Sequence, residues 1–196
     1  MPSKIFISIF LSALCFSACA TSHDSNNPAD QFQTSSEKQV DAVPQKGWKT
    51  LTDSLYTFQY PENWEMNYTG QMGLSFLVVS PFENDADPFG ENISLVIQDR
   101  ETISGSLAEY AESSVRQITD VITDGKILKN EEASIHGVTY REITYSGNQN
   151  DMDFKNTLRF YFFKGNAFIL TFTCHADDYE THINDIRKVM DSLRLK

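Results

Sequence analysis

Four residues near the carboxyl end, His175, Asp177, Asp178 and His182, are of types that ligate transition metals, and they fall where a strand pattern runs into a helical one. His182 lies one helical turn beyond Asp178, so spacing constrains these two, whereas a metal centre needs three or four converging ligands. Carboxylates at a helix start also serve as capping and dipole partners, and this is the stronger reading, so no residue is assigned to a metal. A second group, Glu83, Asn84, Asp85, Asp87, Glu91 and Asn92, offers hard oxygen donors of the kind calcium accepts. It lacks the EF-hand order, which favours a solvated acidic loop. The sequence contains no G-x-S-x-G elbow, phosphate-binding loop, H-E-x-x-H helix or paired C-x-x-C. The expectation is a protein that is not an enzyme and needs no cofactor.

The residue with the clearest chemistry is Cys19. Lys4 precedes an apolar run from Ile5 to Ala18, shorter than the roughly 20 residues that cross a bilayer, which is the order of an export signal. Phe16-Ser17-Ala18-Cys19 resembles the bacterial lipobox, with Phe16 where leucine is usual. Cys15 is the rival, but Leu14 before it is bulky for a pocket that takes a small side chain. The resemblance implies cleavage between Ala18 and Cys19, thioether attachment of diacylglycerol to Cys19, and anchoring in a bacterial envelope membrane. Ala20 in place of an aspartate implies the outer membrane, facing the periplasm, where the cell has two.

With Cys19 modified, the mature chain keeps Cys174 alone, so no internal disulfide is expected. Cys174 follows Phe172 in an apolar alternation and reads as a small buried hydrophobe. A net charge of −11 repels phosphate backbones, which argues against nucleic acid as a partner.

These groups are positioned by three segments: a signal at 1–18, a lipidated cysteine and tether at 19–46, and one domain at 47–196. From Ala20 to Lys46 the chain is mostly Ser, Asn, Asp, Gln, Thr and Ala without periodicity, a coil with a reach of roughly 30 Å. Within the domain, Tyr56–Tyr60, the alternation Trp64, Met66, Tyr68, and the segments Leu74–Ser80 and Ile93–Asp99 read as strands. Leu107, Ala111, Val115, Ile118 and Ile122 then line one helical face, with Ser106 and Glu109 in capping-box spacing and Gly125 placed to end the helix. Strands near 126–135, 138–146, 154–163 and 167–175 follow, joined as antiparallel hairpins at Ile135-His136-Gly137, Ser146-Gly147-Asn148 and Lys164-Gly165-Asn166. A second amphipathic helix carries Tyr179, Ile183, Ile186, Met190 and Leu193 on one face, with Asp177 or Asp178 as its cap. Phe160–Phe163 and Phe168–Leu170 are apolar at every position, as in strands covered on both sides. The expected class is therefore α+β, an antiparallel sheet with amphipathic helices packed on both faces.

Phe58-Gln59-Tyr60-Pro61-Glu62-Asn63-Trp64 resembles the F-x-Y-P-x-x-W opening of PsbP-like and DcrB-like domains. Ser106-Leu107-Ala108-Glu109-Tyr110-Ala111, His136-Gly137-Val138, Ile169-Leu170-Thr171-Phe172 and Asp191-Ser192-Leu193 are similar to later family segments in the same order. The resemblance covers roughly residues 48–196 and implies the PsbP-like α/β/α sandwich. Its motifs are core and turn residues, so it transfers no functional residue, and Tyr60 and Trp64 read as packing anchors. The expected function is that of an accessory or adaptor lipoprotein, bound to the membrane through Cys19, that contacts a protein or envelope partner through loops at 70–73, 81–92 and 147–153. The alternative is an envelope protein that binds a small ligand or a metal such as calcium, manganese or zinc at the acidic loop or the His175–His182 corner.

Overall fold

The computed structural model describes residues 46–67, 73–84 and 89–196. Signal, lipidation site and tether lie outside the described residues, apart from Lys46. Ten strands and two helices follow in the order β1 (Trp48–Thr52), β2 (Tyr56–Pro61), β3 (Glu65–Asn67), β4 (Leu74–Val79), β5 (Asn92–Asp99), α1 (Leu107–Val121), β6 (Thr123–Ile135), β7 (Val138–Gln149), β8 (Met152–Phe163), β9 (Asn166–His175), α2 (Tyr179–Asp191) and β10 (Arg194–Leu195). Seven strands form one antiparallel sheet in the order β3-β4-β5-β9-β8-β7-β6, and β1-β2-β10 form a second, three-stranded sheet.

The α+β class holds, and consecutive residues of β8 and β9 show how both faces are closed. Phe160 and Ala167 pack with Tyr110, Ala111 and Ile118 of α1. Tyr161 and Phe168, one position on, join the cluster that contains Ile183, Ile186 and Met190 of α2. Strand side chains alternate faces, so the unbroken apolar runs serve two cores at once. The small sheet lies on the α2 side. Phe58 stacks on Phe76 with centroids 4.5 Å apart, and the Gln59 amide donates to Ser192 Oγ at 2.9 Å. That sheet departs from the expected architecture: Tyr56–Tyr60 pairs with β1 and the short β10 instead of joining the main sheet. Tyr60 is buried and Trp64 half-buried against the same core, as packing anchors.

Local signals explain most boundaries. Ser106 Oγ accepts from the Glu109 amide at 3.3 Å while Glu109 Oε2 accepts from the Ser106 amide at 2.7 Å, a complete capping box. Two glycine assignments differ from expectation. The first helix stops at Val121, and Gly125 already lies in β6, where a Cβ would come within 2.6 Å of the Ile118 carbonyl. Gly147 is not a turn residue either. The β7 and β8 strands run through it to a turn at Asn150 and Asp151, both with positive φ, and a Cβ on Gly147 would overlap Ile122 Cγ2 at the end of α1. Both glycines mark close approaches between backbone and neighbouring chain. Strand β6, at one edge of the main sheet, breaks register with β7 at Thr123/Lys126 and again at Ile127/Lys129.

Candidate functional site

Strand pairing gathers several connections at one end of the main sheet. Val79 at the end of β4 pairs with Asn92 at the start of β5, Asn92 with Thr173 late in β9, Thr173 with Asn156 early in β8, and Asn156 with Tyr145 late in β7. The β4–β5 connection, the β7–β8 turn and the β9–α2 link therefore share one rim. The described parts of one expected contact segment, 81–84 and 89–92, fall on it, as do 147–153 and the His175–His182 corner; Asp85 and Asp87 of the acidic loop lie outside the described residues. Of the third, 70–73, only Gly73 is described; it leads into β4 at the opposite end, where the β8–β9 and β6–β7 turns lie, and residues 70–72 lie outside the described residues. The first described residues also lie near the rim. Gly47 accepts a hydrogen bond from the Glu62 amide at 3.0 Å, and Glu65, three residues on, pairs with Val79.

The rim is acidic and partly braced. Ser80 donates its amide to the Glu91 carbonyl at 2.8 Å and its hydroxyl to Glu91 Oε2 at 2.6 Å, closing the base of the β4–β5 connection. Phe82, on that connection, is 56% exposed. His182 Nε2 lies 3.5 Å from Glu83 Oε1, which ties the connection to α2. Lys155 pairs with Glu180 at 2.7 Å and sits over the Tyr179 ring, 3.9 Å from its centroid. Asn148 donates to Asp153 at 2.8 Å across the β7–β8 turn.

The four residues weighed as a metal corner do not converge. His175 Nδ1 lies 3.9 Å from Asp177 and 3.8 Å from Asp178, while His182 addresses Glu83 on another element. Among the described residues no group of three or more His, Cys, Asp or Glu side chains is placed to hold a metal ion. Asp178 occupies the N-cap position of α2, as expected, but its side chain makes no capping hydrogen bond. Cys174 is fully buried; burial pushes its thiol well above the ordinary range, and Sγ rests 3.6 Å from the Lys155 carbonyl. A thiol held protonated and out of solvent is a poor nucleophile.

The strongest electrostatic feature is one the sequence reading passed over. Arg159, on the α2 side of β8, is 3% exposed and reaches Glu142 of β7 with Nε at 2.8 Å and Asp191 of α2 with Nη1 at 2.6 Å. Lys129 of β6 adds a second cation on Glu142 at 2.8 Å and also pairs with Glu131 at 2.6 Å. Burial alone raises the Glu142 carboxyl, but the hydrogen bonds and charges of Lys129 and Arg159 outweigh it and hold the group below the usual range. The Arg159 guanidinium lies 4.9 Å from the Tyr140 ring centroid. The available signal was a lone arginine in Thr157-Leu158-Arg159-Phe160-Tyr161, a charge inside an otherwise apolar strand. Its partners lie 17 and 32 residues away, and nothing local names them. The chain of charges joins β6, β7, β8 and α2, so its chemistry is that of a cross-brace.

Among the described residues no helix is long and apolar enough to cross a membrane. The family model for PsbP-like protein matches residues 6–195, and the chain belongs to that family. The solution structure of cyanobacterial PsbP from Synechocystis sp. PCC 6803 superposes with a TM-score of 0.57 at 15% identity, covering 81% of this chain and 98% of that one. The LpqN protein of Mycobacterium tuberculosis, described as involved in cell envelope biogenesis, gives 0.56 at 11% identity over 76% and 90%. A Pseudomonas aeruginosa protein of unknown function gives 0.54 at 16% identity over 76% and 97%. At these identities the likeness shows the fold alone. No curated protein matches the sequence.

Proposed function

We propose that this chain is a non-enzymatic envelope lipoprotein, cleaved after Ala18 and diacylated on Cys19, whose PsbP-like domain contacts a protein or envelope partner through the rim formed by 81–84, 89–91, 149–152 and 175–178. The observation that carries the reading is the convergence of these connections on one end of the sheet, the end near which the first described residues lie. A rigid scaffold that presents loops at one end is where binding usually resides. The description of LpqN, a fold relative, as an envelope biogenesis protein supports the same compartment. At the His175–His182 corner the four side chains are divided between separate carboxylate contacts, which favours the partner-binding reading there over a metal site.

In-cell crosslinking and pull-down, run on the full chain and on Cys19→Ala, tests the reading. Membrane retention in high salt that is lost in Cys19→Ala, with one or two partners enriched on the anchored form, is the expected result. A variant that stays membrane-bound would remove the anchor, and equal capture by both forms would remove the membrane-localised partner.

A further inference from the structure

Asp191, the last residue of α2, is held from two sides. Its carboxylate accepts from Arg159 at 2.6 Å, and its backbone carbonyl lies 2.7 Å from His136 Nε2 at the tip of the β6–β7 hairpin. The other ring nitrogen, Nδ1, lies 3.1 Å from Arg194 Nη1 on β10. A carbonyl oxygen only accepts and a guanidinium only donates, so the ring carries its proton on Nε2 and a lone pair on Nδ1. The imidazolium has protons on both nitrogens and cannot accept from Arg194.

We propose that His136 is a proton-operated joint between the hairpin tip and the C-terminal strand. The neutral ring holds both α2 and Arg194; the protonated ring keeps its bond to Asp191 and releases Arg194. Three features make the release consequential. His136 sits at a positive φ in a two-residue turn, with Ser134 and Thr139 hydrogen-bonded across the hairpin at 3.3 Å, so the backbone that carries the ring is braced. Arg194 Nε is buried and has no hydrogen-bond partner among the described residues, so losing the His136 contact favours swinging the guanidinium into water. Strand β10 comprises Arg194 and Leu195 alone, paired with Thr57 and Tyr56, and leads to a hydrogen bond from the Lys196 amide to the Leu55 carbonyl at 2.9 Å. The charged group in contact with the ring is Arg194 of β10; from α2 the ring meets the Asp191 backbone carbonyl, while the Asp191 carboxylate is engaged by Arg159 of β8. Histidine is the side chain whose charge ordinarily changes between about pH 5 and 8, and that is the window in which the joint is tested.

NMR of the full-length chain from pH 8 to pH 5 tests this by following the His136 ring nitrogens together with exchange protection at the Lys196 amide. As Nδ1 gains its proton, protection at Lys196 is expected to fall about two- to five-fold, the range of a surface polar contact, while Ile183–Met190 stays unchanged. His136→Gln, which offers an N–H to Asp191 and a carbonyl to Arg194 without titrating, should hold Lys196 protection constant across the range. In Arg194→Met the ring should still gain its second proton, and Lys196 should no longer follow it. Protection that stays flat while His136 titrates, or pH dependence that survives in His136→Gln, overturns the proposal.

Discussion

Helix α1 closes its face of the main sheet with Tyr110, Ala111 and Ile118 against Ile143, Leu158 and Phe160, while the face under α2 holds a guanidinium and a carboxylate in an equally buried setting. Each helix has a well-defined apolar stripe, yet only α1 has a side-chain cap at its amino end. The comparison separates two ways of fixing a helix on a sheet. The α1 face relies on local capping and close packing around glycine. The α2 face relies on long-range polar contacts, namely Arg159 to Asp191, Ser192 to Gln59, and a 2.6 Å contact between Thr157 Oγ1 and the Tyr179 hydroxyl. Apolar burial drives both associations, whereas the polar links select one position for the helix.

The largest effect expected from breaking this contrast is at Arg159. Arg159→Ala leaves Glu142 buried beside Lys129 alone and should cost about 3–5 kcal/mol in chemical denaturation. The double variant Arg159→Met, Glu142→Leu removes both charges and should recover most of that loss, because Asp191 is 45% exposed and rehydrates. Failure of the double variant to recover would make the brace a net source of stability. The same site carries a pH signature. The ionised Glu142 is favoured by folding, so its contribution is complete above the unfolded value near 4.5 and is lost as pH falls through the lower folded value. The stability gap between wild type and Glu142→Gln should therefore narrow below about pH 4, as read from denaturation midpoints across pH.

On the α1 face, Gly147→Ala forces a methyl group onto Ile122 and should cost about 1–3 kcal/mol by overpacking. Ser106→Ala removes the capping box and should cost about 1 kcal/mol. Asp178→Ala should change thermal stability by less than about 0.5 kcal/mol, since that side chain makes no cap. Equal losses at Ser106 and Asp178 would erase the distinction between the two helices.

These effects track what could be read before folding. The capping box, both helical faces and the strands on either side of His136-Gly137 are contacts within a few residues, and period and spacing reveal them. Cover on both sides of β8 and β9 was legible because apolar runs without alternation have one economical explanation. The small sheet was not legible. Trp48–Thr52 has a mixed exposure pattern and β10 is two residues long, so neither carries a period, and their pairing spans the whole domain. Gly125 and Gly147 misled for a related reason: a glycine needed for close approach looks the same in sequence as one needed for a turn. At the rim, the residue types were visible, but whether His182 addresses His175 or Glu83 depends on a loop from another part of the chain.

The two register breaks in β6 bear on how such a domain survives crowding. A thirteen-residue outer strand would ordinarily offer a long ladder of free amides and carbonyls to a neighbouring molecule. Here the irregularities at Thr123/Lys126 and Ile127/Lys129 twist that ladder out of line, and Lys126, Lys129, Glu131 and Glu132 set charges along it. If Cys19 concentrates many copies on one lipid surface, this border resists templated strand addition and the fibrous association that would follow.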